Sequence, residues 1–200
     1  LTAQGSNLGL FRYLTETALV QGLTVEGTVA PQGSRSNVGG LVGHNAGTVR
    51  AVTFHGSVEG ASNVGGIAGV NTLTGIIELC KVSGQITGSH FVGGVAGSNR
   101  GVIRKSENSA GINTTSRQNS VDLSDITMET ITNSEAANTV TDIGGIAGTS
   151  SGVIRDCGND GDVGYRQMGY NIGGIAGSQS GYIVNCENHG QIHGRKEVGG

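Results

Sequence analysis

Proline occurs once in the 200 residues, at Pro31, tryptophan never, and aromatic residues make up only 4% of the chain. Collagen-like structure is excluded because the glycines follow no G-X-Y period. No apolar run approaches the ~20 residues that a membrane-spanning helix needs, so no membrane insertion by this chain is expected. Charge of one sign is also lacking: 12 basic against 15 acidic residues leave a formal net charge of −3. That balance provides no electrostatic footprint for nucleic acid or an anionic membrane. Catalytic signatures are missing too. There is no H-E-x-x-H, no G-x-S-x-G elbow, no Walker loop and no C-x-x-C pair, so the chain is read as non-enzymatic, with no catalytic, cofactor or metal residues assigned.

What the chain has in quantity is glycine, at 38 positions against an average usage of ~7%. The glycines recur in order. "VGGLVG" starts at Val38, "VGGIAG" at Val64, "VGGVAG" at Val92, "IGGIAG" at Ile143 and Ile172, and "VGG" at Val198, at intervals of 26, 28, 51, 29 and 26 residues. A degenerate copy, "LGLFRYLTETALVQGLTVEGTV", runs from Leu8 to Val29. Four further columns align: Val49, Ile77, Ile103, Ile154 and Ile183; Val52, Cys80, Ser106, Cys157 and Cys186; Phe54, Val82, Asn108, Asn159 and Asn188; and Val58, Ile86, Ile112, Val163 and Ile192.

Self-similarity at this period signals a solenoid, a propeller or a tandem array. Helical repeats are disfavoured because glycine costs ~1 kcal/mol per helix position. Propeller blades need about 40–50 residues, more than these repeats hold. The reading is an all-β fold, a parallel β-solenoid (β-helix) over residues 1–200 with 26–29 residues and about three short strands per coil. Seven coils stacked at the ~4.8 Å strand spacing would make a rod ~30 Å long. Its glycines are expected at corners of positive φ or where backbones approach closely. Asn108, Asn159 and Asn188 are expected to form an amide ladder. Residues 114–140 interrupt the pattern as an insertion, "SVDLSDITMETITNSEAANT" being free of glycine. Ser120 is placed to cap a short helix carrying Leu123, Ile126 and Ile131. Alternation of Val121 with Leu123 and of Ile126 with Met128 permits strands instead; a short helix or loop excursion is preferred. Long insertions in repeat arrays often carry binding; a decoration over an apolar patch is the plainer alternative.

Several motifs invite chemistry and support little of it. The G-G-x-x-G strings resemble dinucleotide loops, but a Rossmann fingerprint needs a following helix. The three cysteines share a column with Val52 and Ser106, which marks a small core slot for free thiols. A Cys157–Cys186 disulfide would meet the torsional requirement poorly from parallel side chains. His189 and His193 lie four apart, but across a glycine in a β-corner. Asp156, Asp160 and Asp162 are arranged like part of a calcium loop without the twelfth-position ligand. Both sets are read as surface residues. Only Tyr13, Tyr165, Tyr170 and Tyr182, with Phe11, Phe54 and Phe91, are available to stack on sugars, which speaks against a carbohydrate-active β-helix.

The strings "NVGGLVGHNAGTV", "NVGGIAGVN" and "FVGGVAGSNRGVI" resemble the GLUG motif, a glycine-rich repeat of bacterial cell-surface and secreted proteins. That family includes adhesin-like proteins and the non-catalytic region of IgA-specific zinc metallopeptidases. The resemblance covers about 8–114 and 141–200. It implies an extracellular location and a structural or adhesive segment, acting as spacer, display scaffold or binding surface. Host protein or glycan ligands would meet the corner loops or the 114–140 insertion. The alternative is a substrate-positioning accessory domain of a large secreted zinc peptidase. Because Gly200 falls inside a repeat, the chain is expected to be a piece of a longer protein. End-to-end self-association through an unpaired strand edge is expected as well.

Overall fold

The computed structural model describes residues 5–115 and 140–200. These residues form an all-β parallel solenoid, each coil contributing one strand to each of four sheets. In the first complete coil the strands are Ser36–Gly39 (sheet 1), Val42–Asn45 (sheet 2), Thr48–Arg50 (sheet 3) and Thr53–Glu59 (sheet 4). Sheets 1, 2 and 3 are six-stranded, so the chain completes about six turns rather than seven. The last string, "VGG" at Val198, contributes only the strand Lys196–Gly199, which closes sheet 1. The strand number also departs from the expected three. A run such as "SNVGGIAGVN" reads as one apolar stretch but bends after its first glycine, placing Ser62–Gly65 and Ala68–Asn71 in different sheets.

The register follows the repeat residue for residue. Val38, Val64, Val92, Ile143, Ile172 and Val198 stack in sheet 1. Val49, Ile77, Ile103, Ile154 and Ile183 stack in sheet 3. The degenerate copy takes its place below them, pairing Leu8 with Val38, Val20 with Val49 and Val29 with Val58. Backbone bonds climb the axis at the bends as well, from Ile67 N to Val95 O (3.0 Å), Val95 N to Ile146 O (2.9 Å) and Ile146 N to Ile175 O (2.9 Å). Alternation buries one side of each strand, and Ile77, Ile103 and Ile154 are fully buried.

The glycines serve close approach far more than positive φ. The first glycine of each pair, such as Gly65 or Gly93, has backbone where a Cβ would stand, first the carbonyl three residues on in its own coil and then the next coil. The second faces across the core: a Cβ at Gly40 would meet the Phe54 ring, one at Gly66 the Val82 side chain and one at Gly94 the Asn108 amide. The glycine after the bend (Gly69, Gly97, Gly148) abuts the backbone of the coil before it. Left-handed corners fall instead to non-glycine columns: Asn37, Asn63, Phe91, Asp142, Asn171 and Glu197 before the V-G-G strings, and Ala51, Leu79, Lys105, Asp156 and Asn185 between sheets 3 and 4. Asparagine and aspartate tolerate this region because their short side chains bond locally. Sheet 4 alone stacks glycines of positive φ, at Gly27, Gly56 and Gly84.

Three ladders of polar side chains run along the axis. In the expected one, Asn108 Nδ2 donates to Asn159 Oδ1 and Asn159 Nδ2 to Asn188 Oδ1, each at 2.7 Å. A second, through Asn45, Asn71 and Asn99, is fully buried, linked at 2.8 Å and ending on Ser150 Oγ at 3.1 Å. A third, at the left-handed corner, joins Asn63 to Asn37 and Asn37 to Asn7 at 2.7 Å. Among the described residues no buried side-chain nitrogen or oxygen lacks a partner. The expected helix or loop excursion of the insertion lies at 116–139, outside the described residues.

The Gly94→Ala variant is expected to unfold more easily by about 1–3 kcal/mol or more, the cost of overpacking a filled site. A Gly158→Ala variant, whose Cβ would meet only the Glu187 side chain at 3.9 Å, serves as its control. Thermal unfolding followed by circular dichroism measures both; equal melting of the two variants would refute the close-approach reading.

Candidate functional site

Coil length varies chiefly at one place. From the sheet 3 column to the sheet 4 column the chain takes nine residues in every turn, as from Val49 to Val58 or Ile154 to Val163. From sheet 1 to sheet 3 it takes eleven, as from Val38 to Val49, with twelve from Leu8 to Val20 in the first coil and thirteen in the coil that carries Leu73. The return corner from sheet 4 to sheet 1 is different. It takes six residues from Val58 to Val64, Ile86 to Val92 and Ile192 to Val198, nine from Val29 to Val38 and Val163 to Ile172, and thirty-one from Ile112 to Ile143. The long returns therefore share one edge of the rod, at 30–37 and 164–171, where the described ends of the third, 113–115 and 140–142, also lie. Stacked strands tolerate no extra residue inside a rung, whereas a surface connection accepts additions at small entropic cost.

The 164–171 return is shaped locally by its glycines. Gly164 and Gly169 have φ of +80° and +84°, and Met168 N closes a turn on Tyr165 O at 3.2 Å. This turn forms one wall of an open cleft of about 350 Å³ lined by Thr114, Asp162, Gly164, Tyr165, Arg166 and His193. Three successive coils contribute: Thr114 at the root of the insertion, Asp162 to Arg166 on the next rung, and His193 on the one after. Asp162 Oδ1 accepts the Gln191 N–H at 2.9 Å, and the Thr114 hydroxyl donates to Gln85 Oε1 at 3.1 Å. Tyr165 is 41% exposed, and Arg166 also faces solvent. Phenol, guanidinium and imidazole thus surround a space with one carboxylate, which favours ligands that accept hydrogen bonds. Nearby, Lys196 Nζ lies 5.9 Å from the Tyr170 ring centroid.

Of the residues singled out in the sequence, the structure brings few to this edge. His193 lines the cleft, while His189 sits away from it, with its Nδ1 2.9 Å from Asp160 Oδ1. The hydrogen bond that its ring donates to Asp160 raises the pKa of exposed His189. Asp162 joins the cleft, but Asp156 is at the corner between sheets 3 and 4, 3.9 Å from Arg155. No group of three or more metal-ligating side chains that could hold an ion occurs among the described residues. Thr114, Tyr165 and Arg166 were not singled out for a shared site; the signal available was the longer spacing between Val163 and Ile172.

The cysteines occupy one inward column as free thiols. Burial pushes Cys80 up to about 11. The hydrogen bond between Cys157 and Cys186, and then burial, raise Cys157, while the same bond lowers half-buried Cys186 to about 7. Comparison of the chain with known protein families, curated proteins and solved structures gives no match.

Iodoacetamide is expected to modify Cys186 first, with a rate that rises with pH through about 7 as its thiolate forms. Cys80 and Cys157 should react only on unfolding. Peptide mapping after timed labelling checks this, and modification of Cys80 at the rate of Cys186 would contradict the arrangement.

Proposed function

We propose that this chain is a non-catalytic scaffold segment of a bacterial surface or secreted protein, which presents its variable edge to an extracellular protein or glycan. The observation that carries the reading is the confinement of every long return to the corner between sheets 4 and 1, on a rod whose remaining spacings hardly change. A scaffold that keeps three sides constant and varies the fourth presents contacts there, as loops on rigid frameworks generally do. The cleft on the same edge adds the groups a binding site uses, with Tyr165 and Arg166 of the types enriched at binding hot spots. The GLUG resemblance supports the compartment. Self-association through the last coil belongs to the same reading. Tyr182 is 73% exposed there, Val184 47% and Val198 44%, beside strand edges that recruit other chains.

A glycan array and a panel of host surface glycoproteins, probed with the labelled chain, test the edge. The Tyr165→Ala/Arg166→Ala variant is expected to lose about 2 kcal/mol, roughly thirtyfold in affinity, toward whichever ligand binds. Lys81→Ala, on the outer side of sheet 4, should lose nothing. Binding that survives both the double variant and removal of 116–139 would reject the edge as the contact. Sedimentation velocity checks the association: species should grow with concentration, and a single monomer peak throughout would exclude it.

A further inference from the structure

A different face of the rod carries a second surface. The outward side of sheet 3 consists of two columns. Leu19, Thr48, Ile76, Val102, Val153 and Tyr182 stack in one, and Gln21, Arg50, Glu78, Arg104, Arg155 and Val184 in the other. The buried Val49, Ile77, Ile103 and Ile154 lie between them in sequence and point inward, so alternation puts both columns on the same outer side. Arg100 flanks this face at the turn leading into Val102, and Lys105 follows Arg104 at the next corner. Among the described residues, Arg50, Arg100, Arg104, Lys105 and Arg155 thus stand on this face against Glu78 and Asp156, in a chain whose acidic residues outnumber its basic ones by 15 to 12.

The carboxylates present are already engaged. Glu78, only 12% exposed, is held between Arg104 at 2.6 Å and Arg50 at 3.6 Å. Asp156 lies 3.9 Å from Arg155 and also accepts from Asn185 at 3.4 Å. Direct pairing sets Arg104 beside Arg155 on consecutive rungs, and like charges opposite each other are destabilising. None of the other faces combines these features. Sheet 2 turns Tyr13, His44, Val70, Ser98, Thr149 and Ser178 outward, a column with no Lys or Arg; sheet 1 carries Ser36, Ser62, His90, Thr141 and Tyr170 with the single cation Lys196; on sheet 4 Lys81 is neutralised by Glu107 at 2.8 Å.

We propose that the outer face of sheet 3 docks an acidic protein segment in which aliphatic or aromatic side chains accompany the carboxylates. The excess cations call for the carboxylates, through charge-assisted hydrogen bonds to guanidinium groups. The stripe of Ile76, Val102, Val153 and Tyr182 calls for the apolar side chains. An acidic polysaccharide would meet the first requirement and leave the stripe wet, so a peptide is the better complement. The surface uses neither the cleft nor the variable edge, and its occupant is independent of theirs.

The test is fluorescence anisotropy of the intact chain with three labelled probes: a peptide alternating glutamate with valine, an oligoglutamate of equal charge, and oligogalacturonate. The glutamate–valine peptide should bind most tightly, and its affinity should fall as salt rises. Arg100→Glu/Lys105→Glu/Arg155→Glu leaves the Arg104–Glu78 pair intact and should weaken that peptide by about tenfold or more. Val102→Thr/Val153→Thr should weaken the peptide while leaving oligoglutamate unchanged. Melting curves of both variants establish that they fold. Equal affinity for all three probes would overturn the peptide assignment in favour of a general polyanion surface. No binding by the glutamate–valine peptide, or binding indifferent to both folded variants, would overturn the surface itself.

Discussion

Backbone pressed against backbone is the constraint from which the rest of this structure follows. The hydrogen bonds that hold coil to coil run along the axis, and they form only where successive chains lie at strand spacing. At the bend between sheets 1 and 2 two further approaches are imposed, one from the coil above and one from the coil below. A side chain has no room in either, and the second glycine of each pair is closed off by whatever fills the opposite column. Phe54, Val82 and Asn108 differ greatly in shape, yet each rests over a glycine. The glycine-rich string is therefore a packing requirement with three separate causes, renewed on every rung.

Polar residues in so thin a core would be costly unless paired. The ladders resolve this by giving each amide its own copy as partner. An asparagine that donates upward and accepts from below fills its needs only when the next rung carries an asparagine or a hydroxyl at the same height. Ser150 ends the Asn45 series in this way. Stacked amides also explain why Asn108, Asn159 and Asn188 follow Phe54 and Val82 in one column: apolar and amide segments are each internally consistent, and the change between them occurs once.

Much of this was legible before any coordinates. The period, the columns and their members followed from aligning glycine pairs, because identical side chains stack only when the spacing repeats. The amide ladder at Asn108 was legible for the same reason. The number of sheets was not, since "VGGIAGVN" has no break in hydrophobicity where the chain turns. Which glycines serve positive φ and which close approach was not legible, because both select the same residue in a sequence; Gly27, Gly56 and Gly84 serve the first and most of the V-G-G glycines the second. Asn37, Asn63 and Asp142 carried the corners instead, unnoticed beside their more numerous neighbours. The candidate site was hardest to see. Its members, Thr114, Tyr165, Arg166 and His193, come from three coils, and nothing in their identities links them. Only the unequal return lengths point to their shared edge, and those lengths acquire a location once the register is known.

Those unequal lengths bear on how the chain finds its fold. A sequence that repeats itself offers misalignments almost as good as the native one: a strand displaced by a whole rung would still place valine on valine and glycine on glycine. Near-degenerate pairings of this kind make a rugged search and invite exchange between molecules. The six-, nine- and thirty-one-residue returns, with the thirteen-residue span around Leu73, differ along the chain. A coil shifted by one rung must then stretch a short return or bulge a long one. The same irregularities that decorate one edge act as keys, giving each rung an address in an otherwise anonymous stack.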